Sequence, residues 1–354
     1  MTDNHPYSDD YEQYEERFNP LLTDRKARRK RKPAVNHRAK KDDKQIINEI
    51  AETMGIEGGF HTTYQPSKHE AGWLLAALKS FYDQSLITDV LSLVKGGKEA
   101  SVYRCQAHPS IGEEFLAAKV YRPRMFRSLR NDSMYRQGRH TLTCDGKVAE
   151  NTDHRIVSAI RKKTTYGIQA AYTSWLMHEY TTLQTLHQLG AAVPQPFAAG
   201  ENSILMTYCG DDRMAAPTLN TVTLEQDEAK SLFTEVMQNA ELMLQNNLIH
   251  GDLSAYNILY WEGQITVIDF PQVTNSHAND NAHFILKRDI NRVCDYFAKQ
   301  GVDCDANTLM DDLWLRNVGV TPDERAAERA NFLPEPEEDY DDEDYDDGVS
   351  SFVT

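Results

Sequence analysis

The segment from His250 to Asp269 constrains this chain more than any other. In it a polar loop with a fixed carboxylate-to-amide spacing runs straight into an apolar hairpin. The loop, His250-Gly-Asp252-Leu-Ser-Ala-Tyr-Asn257, sets an aspartate five residues before an asparagine. Ile258–Tyr260 and Ile265–Ile268 read as two short strands around Trp261-Glu-Gly-Gln264, a tight turn. Asp269 follows the second strand directly. Singly, Asp252 and Asn257 read as turn residues and Asp269 as a strand end. Taken together they are hard oxygen donors spaced by a buried hairpin, a set that suits Mg2+.

Composition narrows the setting. The chain has 354 residues, room for one large domain or two modest ones plus tails. Residues 25–41 hold ten Lys/Arg and no Asp/Glu, whereas residues 335–347 hold ten Asp/Glu and no Lys/Arg. These two runs cancel, so the net charge of −16 belongs to the rest of the chain. Its bulk is therefore unsuited to nucleic acid, and any such binding is local to the basic run. Cys105, Cys144, Cys209, Cys294 and Cys304 are scattered, and none forms a C-x-x-C pair. That pattern argues against a disulfide framework or structural zinc and fits a reducing compartment. The polar N-terminus is unlike a secretory signal, and no apolar run reaches the roughly 18–20 residues that span a bilayer. The cytoplasm is the expected location, with no membrane partner.

Residues 1–45, acidic and then basic, are expected to be disordered, as is the acidic tail at 331–354. Residues 46–90 read as a helical extension, with Ala71, Leu74, Leu75, Leu78, Phe81 and Tyr82 recurring at steps of three and four. Leu91–Val94 and Ser101–Cys105 read as a hairpin around Lys95-Gly-Gly-Lys98, and Phe115–Tyr121 as a further strand. Residues 122–165 are polar and weakly periodic, and read as a long mobile insertion. A helix is expected over 170–189, ended by Gly190, then strands at Phe197–Gly200 and Ile204–Tyr208. Thr223-Leu-Glu-Gln226 matches a capping box opening the next helix. Helices over 283–299 and 307–316 complete the body. A strand-rich part at 91–206 thus precedes a helix-rich part at 207–330, and a cleft between them is the expected ligand site.

Phosphoryl transfer from ATP needs phosphates held, their charge neutralised by metal, and an acceptor hydroxyl aligned. Protein kinases do this with an Asp that orients the acceptor, an Asn five residues on, and a metal-binding Asp after the next hairpin. Asp252, Asn257 and Asp269 have that spacing. Lys119 sits inside the apolar run Leu116-Ala-Ala-Lys-Val-Tyr121, where an ammonium is costly unless paired or at an edge. Glu179, on the helix that follows, is its natural partner, although Glu150 and Glu201 remain alternatives. Such a pair holds the ATP α- and β-phosphates in protein kinases. The Lys95–Val102 segment lies where a phosphate-covering loop belongs, but it is neither G-x-G-x-x-G nor a Walker A loop.

These segments resemble the RIO family of atypical protein kinases. The likeness runs through Gly97-Lys-Glu-Ala100, Ala118-Lys-Val-Tyr121, His178-Glu-Tyr180, Val193-Pro-Gln-Pro196, His250–Asn257, Ile268-Asp-Phe-Pro-Gln272, and Arg288-Asp289 with Asn291 and Phe297. It covers residues 65–300. The resemblance implies an α+β fold, a trimmed bilobal kinase with a strand-rich N-lobe, a helical C-lobe and no activation segment. The chain agrees in lacking A-P-E after Asp269. It implies Ser/Thr phosphorylation with autophosphorylation, or ATP hydrolysis, in ribosome maturation. ATP would be held by Lys98, Val102, Lys119, Glu179, Met206 and Tyr208. Asp252 would be the catalytic aspartate, with Asn257 and Asp269 on Mg2+ or alternatively Mn2+. Asp269 keeps a second candidate role, as a transient phosphate acceptor. Ser128, Ser133 and Ser158 are candidate autophosphorylation sites. Two departures stand out: Lys95-Gly96-Gly97 where Ser-Thr-Gly is common, and Met206-Thr-Tyr-Cys209 where Glu often follows the methionine.

Two other readings share much of this pattern. Small-molecule phosphotransferases of the aminoglycoside or choline kinase kind have the same Asp-to-Asn spacing, but commonly carry His-Pro-Gly-Asn where Ser254-Ala-Tyr-Asn257 stands here. A nucleotide-switch assembly factor would use the same residues to hydrolyse ATP. Apart from ATP and a protein substrate, the basic run at 25–41 suggests contact with RNA or a ribosomal particle. It lacks the interleaved aromatics that stack bases.

Overall fold

The computed structural model describes residues 62–97, 99–122, 133–149, 154–162 and 164–319. The basic run, the acidic tail, Lys98 and Ser128 lie outside the described residues.

Helix α1 (Lys68–Asp83) opens with a capping box, Ser67 and Glu70. It buries Leu74, Ala77, Leu78 and Phe81. Strands β1 (Ile87–Gly96), β2 (Ala100–Ala107) and β3 (Phe115–Tyr121) follow. With β4 (Pro196–Ala199) and β5 (Ser203–Thr207) they make a five-stranded sheet in the order β1-β2-β3-β5-β4. Its pairings are all antiparallel.

The sheet has two different faces, as side chains alternate along each strand. Tyr103, Cys105, Leu116, Ala118, Val120 and Leu205 pack behind it with α1 in one apolar core. Ala117, Tyr121, Ile204 and Met206 point forward into a second, larger core. That core continues through α4 (Thr165–Gln188), α5 (Gln226–Gln245), α6 (Ala282–Lys299) and α7 (Ala306–Asn317), which follow the short helices α2 (Ser133–Arg136) and α3 (His154–Arg161). Two small two-stranded sheets complete it: β6 (Leu248–Ile249) with β9 (Thr274–Asn275), and β7 (Ile258–Trp261) with β8 (Gln264–Val267). In the β7–β8 turn, Glu262 and Gly263 both have positive φ, 49° and 82°. This is the twist that suits a two-residue hairpin.

Three details differ from the sequence reading. The helical pattern predicts helix as far as residue 90, but α1 stops at Asp83 and β1 starts at Ile87. Ser85, at φ 56°, turns the chain. Leu86, Ile87 and Val90 fit either period, so spacing alone does not place the border. Helix α5 takes Glu225, not Thr223, as its N-cap, without a side-chain capping bond. Buried Leu224 donates its N–H to Gln300 Oε1 at 3.4 Å, so a tertiary tie replaces the expected capping box. The region 122–165 is not structureless where described. It contains α2, α3 and an antiparallel bridge between Leu142 and Val148, and Tyr135 and Leu142 are buried. Its apolar anchors are too sparse to register as a period.

Candidate active site

Lys119 extends from β3 on the forward face. Its Nζ lies 2.6 Å from Glu179 Oε1 on α4 and 2.5 Å from Asp269 Oδ1 just past β8. Burial disfavours the ammonium, but the two carboxylates overcome it and raise the Lys119 pKa. Burial would also raise the Asp269 carboxyl, yet Lys119 against it holds it below the ordinary carboxylate range. Glu179 is only 1% exposed, and burial lifts its carboxyl above the usual range despite Lys119. The Tyr121 hydroxyl, two residues along the same face, donates to the other Glu179 oxygen. Its ring meets Trp175 edge-on at 4.8 Å, which fixes α4 against β3.

Register places the other expected nucleotide contacts. Val102 on β2 lies opposite Lys119, and Met206 on β5 lies opposite Ala117. Tyr208, just beyond β5, packs edge-on against Phe115 at 6.1 Å. The Arg104 guanidinium lies 5.0 Å from the Phe115 ring centre and 5.9 Å from that of Tyr208.

A second cluster forms around Asp252. Asn257 Nδ2 donates to Asp252 Oδ2 at 2.8 Å and to its carbonyl at 2.9 Å. Arg292 Nη1 on α6 donates to Asp252 Oδ1 at 2.5 Å, with Arg292 only 2% exposed. Both oxygens of this buried carboxylate are therefore held. Asp289 Oδ2 accepts the Gly251 N–H at 2.8 Å, and Arg288 donates to the Gly251 carbonyl. Gly251 itself has φ 84°, and a Cβ there would collide with the Gln272 carbonyl oxygen. Only glycine fits this approach.

His250 ties the two clusters together. Its Nδ1 accepts the Asp252 N–H at 3.2 Å, which leaves Nε2 to donate to the Ile268 carbonyl at 3.2 Å. The Ile268 N–H donates in turn to the Asn257 carbonyl at 2.9 Å. Asp269 then adopts φ 73°, an unusual conformation for a residue with a side chain. Strain of this kind collects at functional sites.

The sequence reading missed Arg292 and Tyr121. The signal for Arg292 was present: Arg288 and Arg292 stand one turn apart on a helix whose stripe is Ile285, Leu286, Ile290, Val293 and Phe297. Two guanidiniums on a buried stripe demand internal partners.

The donor set fits Mg2+. Asn257 spends its amide N–H groups on Asp252, so its oxygen is the atom that could face a metal, and Asp269 could offer a carboxylate. Among the described residues no group of three or more His, Cys, Asp or Glu could hold a metal. Two protein oxygens are what Mg2+ commonly takes when phosphates and water complete its shell.

The RIO domain model matches residues 102–309, more than half of the chain. The chain belongs to the RIO family. It is 31% identical over 232 residues to the serine/threonine-protein kinase RIO1 of Chaetomium thermophilum, covering 62% of this chain and 41% of that one. It is 29% identical to the RIO-type serine/threonine-protein kinase Rio1 of Haloferax volcanii, covering 61% of this chain and 66% of the relative. Each match spans less than two thirds of the relative's length. A solved Rio2 kinase–ADP/Mg2+–phosphoaspartate complex from Chaetomium thermophilum aligns with a TM-score of 0.46 at 18% identity, covering 82% of this chain and 85% of that one. No helix among the described residues of this RIO protein is long and apolar enough to cross a membrane.

Proposed function

We propose that this chain is an ATP-dependent Ser/Thr protein kinase of RIO type that moves the ATP γ-phosphate to protein hydroxyls, its own included. The observation that carries this reading is Lys119 held between Glu179 and Asp269, in a chain of a family whose relatives are named serine/threonine-protein kinases. Lys119, positioned by Glu179, holds the α- and β-phosphates. Val102, Met206 and Tyr208 border the adenine, and Lys98 completes the phosphate loop. Asn257 and Asp269 would hold Mg2+, or alternatively Mn2+, which would supply charge neutralisation of the phosphates. Asp252, fixed by Asn257 and Arg292, accepts a hydrogen bond from the acceptor hydroxyl and aligns its oxygen with the γ-phosphorus. That oxygen forms the new P–O bond as the bond to ADP breaks, and its proton passes to Asp252 or to water. The second role of Asp269 is that of the attacking oxygen itself, giving an aspartyl phosphate and ADP.

One observation favours ATP hydrolysis as a second reading. Residues 134–139 lie against the chain just after Asp269: Arg139 Nη2 donates to the Pro271 carbonyl at 2.8 Å, and Asn279 Nδ2 to the Met134 carbonyl at 2.7 Å. With that surface covered, water is the acceptor that needs the least rearrangement. Following γ-labelled phosphate separates the readings. Label on the chain or on added protein supports the kinase. Release only as inorganic phosphate supports the switch, and transfer only to small alcohols overturns both.

Contact with RNA or a ribosomal particle through residues 25–41 and a cytoplasmic site of action complete the proposal. Opposite charges at the two ends motivate competition between the acidic tail and RNA for the basic arm. Deleting 335–354 should raise RNA affinity at low salt, and an unchanged affinity would sink that idea.

A further inference from the structure

We propose that Lys95 is a further phosphate-binding cation of the nucleotide cleft, turned into it by a bulge in β1, and that it favours a nucleoside triphosphate over a diphosphate. This rests on the ATP reading above and goes beyond it in naming a residue that departs from the family pattern. Strand register sets the direction of Lys95. Leu93 pairs with Tyr103 and Lys95 with Val102, so β1 advances two residues while β2 advances one. In an unbroken strand Leu93 and Lys95 would share a face. Tyr103, however, belongs to the core behind the sheet, whereas Val102 lies opposite Lys119 on the forward face. The shift between Leu93 and Lys95 therefore sends Lys95 forward. Lys95, Val102, Lys119 and Ile204 form one row across four strands. Bulges beside functional sites re-aim side chains in this way.

Charge agrees with register. Lys119, two strands along this row, reaches Asp269 Oδ1 at 2.5 Å, so the row faces the part of the cleft where Asp269 stands. Lys95 forms no ion pair with any described residue, unlike Lys119, whose charge is already matched by two carboxylates. It is exposed at the end of its hairpin, free of packing duties. A cation on the Asp269 side suits the terminal phosphates, since Asp269 would help to hold the metal that neutralises their charge. A diphosphate leaves that position empty.

Calorimetric titration of the full chain with MgATP and MgADP tests this, comparing wild type with Lys95→Gln, Lys95→Glu and Lys95→Arg. The Gln variant should lose about tenfold in ATP affinity, the scale of one charge-assisted contact, and at most about threefold for ADP. The Glu variant should lose more, and the Arg variant should stay near wild type. The ratio of ATP to ADP affinity within one variant is insensitive to the fraction of folded protein, so a partly misfolded sample still gives an answer. Gln and Glu variants that bind ATP and keep the wild-type ratio would overturn the assignment of Lys95 alone. A wild-type chain that binds neither nucleotide would overturn the ATP reading together with it.

Discussion

The two faces of the five-stranded sheet are built from the same strands yet carry opposite chemistry. On β3, Leu116, Ala118 and Val120 point back into a core closed by α1, and each is 0% exposed. Ala117, Lys119 and Tyr121 alternate with them and point forward, where Lys119 and Tyr121 meet Glu179. The back face needs only apolar surface of the right shape. The forward face keeps a buried ammonium and carboxylate, whose mutual attraction offsets desolvation only when geometry is good. The difference teaches that stability and chemistry are divided across a single pleat. Substitutions a single residue apart should therefore fail in different ways.

The largest effect expected is on the forward face. Asp269→Asn should lower phosphate transfer by a factor on the order of a thousand or more, as loss of preorganised charge does, while the melting temperature changes little. On the back face, Leu116→Ala should destabilise the fold by about 2–5 kcal/mol, yet leave activity per folded molecule near wild type. Denaturant unfolding and active-site titration read the two quantities separately. If Leu116→Ala abolished turnover in fully folded protein, the division between faces would fail. Next in size is Gly251→Ala, which should cost about 1–3 kcal/mol, because the new methyl must push back the Gln272 carbonyl or the chain must leave its left-handed turn.

The smallest effect concerns pH. His178 sits beside the forward cluster on α4, donating from Nε2 to the His140 carbonyl at 2.6 Å. Burial pushes its pKa down to about 4 from 6.5, against the opposing hydrogen bond to the His140 carbonyl and with the Arg139 charge adding to the shift. The folded state keeps the imidazole neutral in that interval while the unfolded chain takes up a proton. Stability should therefore fall by about 2 kcal/mol as pH drops from 6.5 toward 4, and His178→Gln should flatten that part of the curve. An unchanged pH profile in the variant would remove His178 from the account.

Much of this was legible in the sequence, for a physical reason. The β7–β8 hairpin has alternating strands and a glycine turn, so its boundaries follow from local rules. Asp252, Asn257 and Asp269 stand on or beside it at short separations, so spacing alone brings them to notice. Lys119 announced itself as a charge inside an apolar strand. The Asp252 clamp was less legible because Arg292 is 40 residues away and reaches it only through the packing of α6. Residues 133–149 were hidden for a similar reason. Tyr135 and Leu142 are single anchors whose partners, Arg288 and Ser174, lie on other elements. The bulge that turns Lys95 forward is a property of pairing between strands, which no single strand's pattern reveals.

The central claim is that the forward cluster is machinery for phosphate transfer, with Asp252 as the residue that aligns the acceptor. The most direct measurement is incubation of the full chain with γ-labelled ATP and Mg2+, wild type against Asp252→Ala, both checked for folding. The account predicts label on the wild-type chain and almost none on the variant at equal nucleotide occupancy. A folded variant that labels itself as fast as wild type would contradict it.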